Sequence, residues 1–121
     1  MTKVLVVDDS NSIRDMVSFT LKSAGYQTTE AKDGQDGLNK AKTGSFDLVI
    51  SDVNMPNMDG LTMVEKVRGE LGNATVNIIM LTTESDPRMK QRGKAAGVKG
   101  WIVKPFKGDN VVGSIKKLVG A

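Results

Sequence analysis

Residues 3–9 of the chain read KVLVVDD, four consecutive apolar residues followed directly by two aspartates. A continuous, mostly β-branched run of this kind is typical of a strand buried on both faces of a parallel sheet. Two carboxylates about 4 Å apart repel each other by roughly 1 kcal/mol in water and roughly 4 kcal/mol at an effective dielectric constant near 20. The stretch therefore predicts a buried strand that carries Asp8 and Asp9 to a place where their charge is compensated.

Further apolar runs alternate with stretches of helical periodicity along the rest of the chain. Strands are predicted at 3–9, 27–31, 47–53, 76–83 and 100–106, and helices at 11–24, 33–44, 61–71, 86–96 and 109–119. Ser12 with Asp15, and Thr62 with Glu65, have the spacing of capping boxes. Five strand–helix pairs indicate an α/β fold, a doubly wound parallel sheet with helices on both faces. Because neither a linker nor a repeat interrupts the pattern, we expect a single domain over residues 1–121.

The composition excludes several classes of chemistry. The 121 residues include no cysteine, which excludes disulfides and thiolate metal sites, and no histidine, which excludes a Ser-His-Asp triad, a histidine base and a histidine zinc site. No apolar run approaches the length of a membrane span, and the amino-terminal segment is too short for a signal peptide. We therefore expect a soluble cytoplasmic protein.

Polar residues lie at the carboxyl ends of four of the five predicted strands. The first strand carries Asp8 and Asp9, the third Asp52, the fourth Thr82 and the fifth Lys104. Ligands of doubly wound sheets bind at this carboxyl edge. Three carboxylates suit Mg²⁺, and Mg²⁺ beside a lysine and a threonine hydroxyl suits a phosphoryl group. One of the aspartates can then act as the nucleophile that forms an acyl phosphate.

Each of these residues also has a simpler interpretation when taken alone. Asp8 and Asp9 can cap the first helix, Asp52 can belong to a turn, Lys104 can pack its stem along the sheet, and Thr82 can be an edge residue. The occurrence of all of them at one edge favours a shared site.

Basic residues dominate one stretch of the sequence. The segment from Asp86 to Lys107, both included, contains seven basic residues and one acidic residue. This stretch predicts either a solvated face or a surface that binds an acidic partner or a phosphate.

The motifs that carry these residues occur in a specific order: the Asp8-Asp9 pair, Asp52 within SDVNMPNMDG, Thr82 within IIMLTTES, and Lys104-Pro105 within WIVKPF. With this set the chain resembles, over its whole length, the receiver domains of two-component response regulators, and most closely the single-domain chemotaxis type. The resemblance implies a flavodoxin-like fold, with five strands in the order 2-1-3-4-5 and five helices.

The resemblance also implies a role for each residue of the site. Asp52 would accept a phosphoryl group from a histidine kinase, while Asp9, Asp52 and the carbonyl of Asn54 would bind Mg²⁺, with Asp8 contributing through water. Lys104 would pair with the phosphoryl group, and its peptide bond to Pro105 is expected to be cis.

Two further pairs of residues would respond to the phosphate or control its lifetime. Thr82 would turn toward the phosphate, and Trp101 would follow into the vacated space. Asn54 and Glu84 stand at positions that tune how long the phosphate survives. The implied function is a phosphorylation-activated switch in chemotaxis, which is not a conventional enzyme but promotes its own phosphorylation and dephosphorylation.

The expected partners are a histidine kinase and a protein target that binds the face formed by residues 86–119, with the flagellar motor switch as one such target. We expect a monomer that binds neither nucleic acid nor membrane. An alternative in the same family is a phosphorelay intermediate or phosphate sink. An aspartyl phosphatase is disfavoured because Asn54 occupies the position of its second aspartate, and a nucleic-acid module because the basic stretch has few aromatic residues.

Overall fold

The structure, a computed structural model, describes residues 2–119, so residues 1, 120 and 121 of the predicted domain lie outside it. Strands and helices alternate through this part of the chain, as the sequence predicts. The strands are β1 (Lys3–Val7), β2 (Gln27–Ala31), β3 (Leu48–Ser51), β4 (Asn77–Thr82) and β5 (Gly100–Val103). The helices are α1 (Asn11–Ser23), α2 (Gly34–Thr43), α3 (Gly60–Gly69), α4 (Pro87–Ala95) and α5 (Gly108–Val119). None of the helices described is both long and apolar enough to cross a membrane.

The five strands form one parallel sheet in the order β2-β1-β3-β4-β5, which confirms the expected topology. β1 lies between β2 and β3, with Val4 opposite both Thr28 and Leu48. The chain reverses its direction of winding between β1 and β3. A crevice at the carboxyl ends of these two strands is the usual ligand site of such sheets.

Apolar side chains of β1 contribute to a separate core on each face of the sheet. Leu5 and Val7 belong to the core that includes α2 and α3, while Val4 and Val6 belong to the core that includes α1 and α5. All four are at most 1% exposed. Burial of a valine or leucine side chain contributes roughly 1.5–3 kcal/mol, so β1 is firmly anchored. The continuous apolar run in the sequence follows from this coverage of both faces.

The strands end earlier than the sequence predicts. β1 ends at Val7 and β5 at Val103, whereas the predicted strands extend to 9 and 106. Pro105 has no backbone N–H with which to continue the pairing of β5. The polar residues Asp8, Asp9 and Lys104 therefore lie just beyond the sheet.

The predicted capping boxes are wrong, because the helices begin before the serine and threonine that were to cap them. The Ser10 hydroxyl accepts from the backbone N–H of Ile13 at 3.3 Å, and Asp59 Oδ1 accepts from that of Thr62 at 2.7 Å. Ser10 and Asp59 are therefore the N-caps of α1 and α3.

Candidate functional site

Three acidic side chains meet at the crevice between β1 and β3. Val7 pairs with Ser51 in the sheet, so the residues that follow, Asp8 and Asp52, leave neighbouring strands side by side. One carboxylate oxygen from each of Asp8, Asp9 and Asp52 lies within 4.8 Å of the others. The fold thus brings together three carboxylates that the sequence places up to 44 residues apart.

The three carboxylates differ in how firmly they are held. Asp8 is 3% exposed, and its Oδ1 accepts from the backbone N–H of Ser10 at 2.9 Å. Asp52 is partly buried, and its Oδ1 accepts from the backbone N–H of Val53 at 2.7 Å. Asp9 is exposed. The N-cap of α1 is Ser10, so neither aspartate of the pair is that helix's cap.

Lys104 supplies a positive charge to this cluster. Its Nζ donates to Asp8 Oδ2 at 2.8 Å and to Asp52 Oδ2 at 3.1 Å. Burial favours the neutral amine, but the hydrogen bonds and ion pairs with Asp8 and Asp52 outweigh it, and the pKa of Lys104 is raised. The Lys104–Pro105 peptide bond is cis, as expected from the resemblance.

The donor set fits a hard divalent cation. Three carboxylates and one ammonium group together carry an excess of negative charge. The side-chain atoms of this cluster that can bind a cation are all oxygens. Mg²⁺ prefers oxygen ligands and is commonly held by one or two carboxylates together with waters and phosphate oxygens. The exposure of Asp9 leaves the cluster open to solvent on one side, where such additional ligands have access.

Thr82 and Glu84 lie on the β4–α4 side of the crevice. Thr82 is fully buried, and its hydroxyl accepts from the backbone N–H of Glu84 at 3.1 Å. The carboxylate of Glu84 lies 3.5 Å from the amide nitrogen of Asn54, which belongs to the β3–α3 loop. The two residues expected to tune phosphate lifetime are therefore neighbours.

Trp101 lies outside the acidic cluster and contacts the β4–α4 loop instead. Its indole Nε1 donates to the carbonyl of Glu84 at 2.8 Å. A Cβ at Gly93 of α4 would lie 3.1 Å from Cζ3 of the indole, so the ring packs closely against this glycine. The backbone of Glu84 is thus bound to Thr82 through its N–H and to Trp101 through its carbonyl.

Arg14 is a residue near the site that sequence analysis did not identify. Its guanidinium donates to the backbone carbonyl of Asp8 at 2.8 Å and to Glu30 Oε1 at 3.2 Å. Arg14 lies near the start of α1, where the helix dipole disfavours a positive charge. A basic residue at such a position in the sequence indicates that a contact elsewhere compensates for it.

Asp33 and Asn57 are a second pair that sequence analysis did not identify. The side-chain amide of Asn57 donates to Asp33 Oδ2 at 2.8 Å. The sequence shows Asp33 only as a turn residue beside a glycine, so no local signal indicates its contact with a residue 24 positions away.

Known proteins are similar to this chain over most of its length. The family model described as "Response regulator receiver domain" matches residues 4–116. The chemotaxis protein CheY-3 of Vibrio cholerae is 37% identical over 105 residues, which are 86% of this chain and 81% of that protein.

Solved structures extend the similarity to the fold. Vibrio cholerae CheY4 is 49% identical, with a TM-score of 0.92 and coverage of 98% of this chain and 99% of that one. The response regulator TrrA of Thermotoga maritima, solved in complex with Mg²⁺-BeF, is 34% identical, with a TM-score of 0.87 and coverage of 98% and 100%.

Receiver domains bind Mg²⁺ at an acidic pocket and act as signalling proteins rather than conventional enzymes, with a histidine kinase as phosphodonor and a downstream target. The CheY relatives suggest a role in chemotaxis. Because the family model covers nearly the whole sheet and its helices, the chain belongs to the response regulator receiver domain family.

Proposed function

We propose that this chain is a phosphorylation-activated switch that accepts a phosphoryl group from a histidine kinase on Asp52 and signals in chemotaxis by protein contact. The proposal is carried by one observation: three carboxylates lie within 4.8 Å of one another, and the ammonium group of Lys104 lies 3.1 Å from Asp52. The chain promotes its own phosphorylation and dephosphorylation without acting as a conventional enzyme.

Asp9, Asp52 and the backbone carbonyl of Asn54 would hold Mg²⁺, with Asp8 contributing through water. Asp8 is the most deeply buried of the three aspartates, at 3% exposure, and this favours the indirect role. Asp9 is exposed and accessible to a cation. When bound, Mg²⁺ supplies positive charge that neutralises the phosphoryl oxygens.

In the proposed reaction a carboxylate oxygen of Asp52 attacks the phosphorus of the donor's phosphohistidine. The P–O bond forms, the P–N bond breaks, and its electron pair remains on the imidazole nitrogen. Lys104 stays protonated because its pKa is raised, and it pairs with a phosphoryl oxygen. The signal ends when water attacks the phosphorus, releasing inorganic phosphate and restoring the carboxylate of Asp52. Asn54 and Glu84, 3.5 Å apart, line the route of this water.

The response to phosphorylation is proposed to pass through the backbone of Glu84. Thr82 turns its hydroxyl toward the phosphoryl group, which removes the acceptor of the Glu84 N–H. The β4–α4 loop then shifts, and Trp101 follows because its indole is hydrogen bonded to the carbonyl of the same residue. The phosphoryl group carries nearly two negative charges, one of which replaces the charge of the Asp52 carboxylate, and its oxygens are strong acceptors for the hydroxyl of Thr82.

The target is proposed to bind the face formed by residues 86–119. Three basic residues of this stretch are already paired: Arg88 with Asp86, Arg92 with Glu65, and Lys104 with the site. The remaining lysines include three exposed ones that, together with Trp101, line a cavity of about 290 Å³: Lys90, Lys94 and Lys99. This surface favours an acidic partner segment, such as one from the flagellar motor switch. A cytoplasmic, monomeric protein with one domain over 1–121 fits this role.

Acetyl phosphate with Mg²⁺ provides a direct test. We expect the intact mass to increase by one phosphoryl group and the fluorescence of Trp101 to change, both of which require Mg²⁺. Asp52→Asn removes both effects, whereas Asp15→Asn, at an exposed aspartate on α1, retains them. Phosphorylation that persists in Asp52→Asn contradicts the proposal.

A second experiment separates the switch from the phosphorelay alternative. A target peptide should bind more tightly after Mg²⁺ and beryllofluoride are added, and the phosphorylated chain should lose its phosphate to water. Unchanged peptide affinity, together with transfer of the phosphate to an added histidine phosphotransfer protein, identifies a relay instead.

A further inference from the structure

The loop between β3 and α3, residues 52–59, is attached to the start of α2 at a point outside the acidic cluster. Asn57 donates its side-chain amide to Asp33 Oδ2 at 2.8 Å, and the backbone N–H of Gly34 donates to the carbonyl of Met58 at 3.0 Å. The same loop begins with Asp52 and contains Asn54. Its position relative to the sheet therefore depends in part on α2.

The α2 end of this attachment is buried, and both carboxylate oxygens of Asp33 accept hydrogen bonds. Asp33 is 4% exposed, and its Oδ1 accepts from the backbone N–H of Asp36 at 2.8 Å as the N-cap of the helix. This backbone hydrogen bond lowers the pKa of Asp33, burial opposes the shift, and the amide of Asn57 lowers the pKa further. The carboxylate is therefore charged at neutral pH, and its bond with Asn57 is charge-assisted.

The approach of α2 to the loop is also very close. A Cβ at Gly34 would lie 2.3 Å from the carbonyl oxygen of Met58, and one at Gly37 would lie 2.6 Å from Sδ of Met63. At Gly34 the clash is with backbone, so only glycine lets α2 approach the loop this closely, whereas at Gly37 a Cβ would displace side chains. The helix thus offers Asp33 as a fixed anchor.

The loop end of the attachment has an uncommon backbone conformation. Asn57 has φ +67°, a left-handed conformation that glycine adopts more readily than any other residue. The side chain of Asn57 is exposed, and the hydrogen bond that the structure gives it is the one to Asp33. Asparagine at this position therefore adds a tether that glycine could not provide.

The segment between the tether and the acidic cluster is short and solvent-exposed. Asn54 and Pro56 are exposed, and Met55 is partly buried. Only two residues separate Asn54 from Asn57. Since each residue spans at most about 3.6 Å, the position of Asn57 limits where the carbonyl of Asn54 can lie.

We infer that the Asp33–Asn57 hydrogen bond positions the β3–α3 loop, and with it the Asn54 carbonyl, for binding of Mg²⁺. Asp33 and Asn57 are positioning residues, because neither lies in the acidic cluster. This inference rests on the proposed function, which makes the Asn54 carbonyl a ligand of Mg²⁺. Residues that orient metal ligands commonly change metal affinity 10–100-fold when they are replaced.

Two substitutions remove the hydrogen bond while keeping the local backbone. Asn57→Gly retains a residue suited to φ +67°, and Asp33→Ser retains a side-chain oxygen able to cap α2 but too short to reach Asn57. Gln35→Ala is the matched control, because it removes an exposed amide contact, with Asn39 at 3.2 Å, from the same helix.

The dissociation constant for Mg²⁺ is measured by isothermal titration calorimetry with magnesium chloride alone. We expect it to rise about tenfold in Asn57→Gly and in Asp33→Ser, no further in the double variant, and not at all in Gln35→Ala. Phosphorylation by acetyl phosphate should return to the wild-type rate at saturating Mg²⁺, which separates loss of affinity from loss of the nucleophile.

An unchanged dissociation constant in a folded Asn57→Gly overturns the inference and leaves the proposed function intact. A lowered thermal midpoint with unchanged affinity also overturns it, since the hydrogen bond is then purely structural. If the wild-type chain itself does not bind Mg²⁺, both the proposed function and the inference fail.

Discussion

Replacement of Lys104 by methionine tests the electrostatic account of the site. The substitution keeps an unbranched side chain of similar length but removes the ammonium group 2.8 Å from Asp8 and 3.1 Å from Asp52. Carboxylate oxygens of these two residues lie within 4.8 Å of each other. At an effective dielectric constant of 20 their repulsion is about 3.5 kcal/mol, and loss of one partner from a buried ion pair typically costs about 3–5 kcal/mol.

We therefore expect Lys104→Met to lower the free energy of unfolding by about 3 kcal/mol at pH 7 without divalent cations. Addition of Mg²⁺ should recover more stability in the variant than in the wild-type chain, because the cation takes over the role of the ammonium group. Lys107→Met, at an exposed lysine three residues later, is the control and should change stability by less than about 0.5 kcal/mol.

The pH dependence follows from the raised pKa of Lys104. A group whose pKa is higher in the folded state stabilises the fold fully below its unfolded pKa, here about 10.5, and this stabilisation is lost as the pH rises through the folded pKa. The difference between wild type and Lys104→Met should be constant from about pH 7 to 10 and shrink above about pH 10.5.

Urea unfolding followed by far-ultraviolet circular dichroism, in EDTA and at low ionic strength, measures these differences. Equal stability of Lys104→Met and the wild-type chain at pH 7 would show that repulsion in the acidic cluster is relieved without the lysine. A deficit that is unaffected by both Mg²⁺ and high pH would indicate lost packing rather than lost charge.

Two further substitutions test contacts away from the acidic cluster. Arg68→Met removes hydrogen bonds to four backbone carbonyls. Since each bond to a charged group contributes roughly 1.5–3 kcal/mol, the substitution should lower the free energy of unfolding by more than about 3 kcal/mol in urea titrations. Stability within about 0.5 kcal/mol of wild type, a span typical of surface substitutions, refutes this. Gly93→Ala places a Cβ 3.1 Å from the indole of Trp101 and should shift the fluorescence emission of this residue. An unchanged emission spectrum would show that the ring yields without losing its bond to Glu84.

Sequence analysis predicted the order of elements and the strand-end residues because both depend on local patterns. The continuous run of Val4–Val7 indicates a strand covered on both faces, and the structure places these side chains in two cores. The boundaries were less accurate, as at Asp9 and Pro105, because a strand ends where pairing with its neighbour ends. The helix caps failed for a related reason: several serines and threonines near a helix start have suitable spacing, and the backbone path selects among them.

By itself, the amino-acid sequence determined the alternation of strands and helices, the absence of histidine and cysteine chemistry, and the list of polar residues that follow the strands. Only the tertiary structure decided their partners: Lys104 with Asp8, 96 positions away, Asn57 with Asp33, and the indole of Trp101 with the carbonyl of Glu84. The periodicity of apolar residues indicates which face of a strand or helix is buried, and it can be read from a short stretch of sequence. Hydrogen-bond partners depend on distances of about 3 Å between groups far apart in the chain, and the packing of the whole sheet sets those distances.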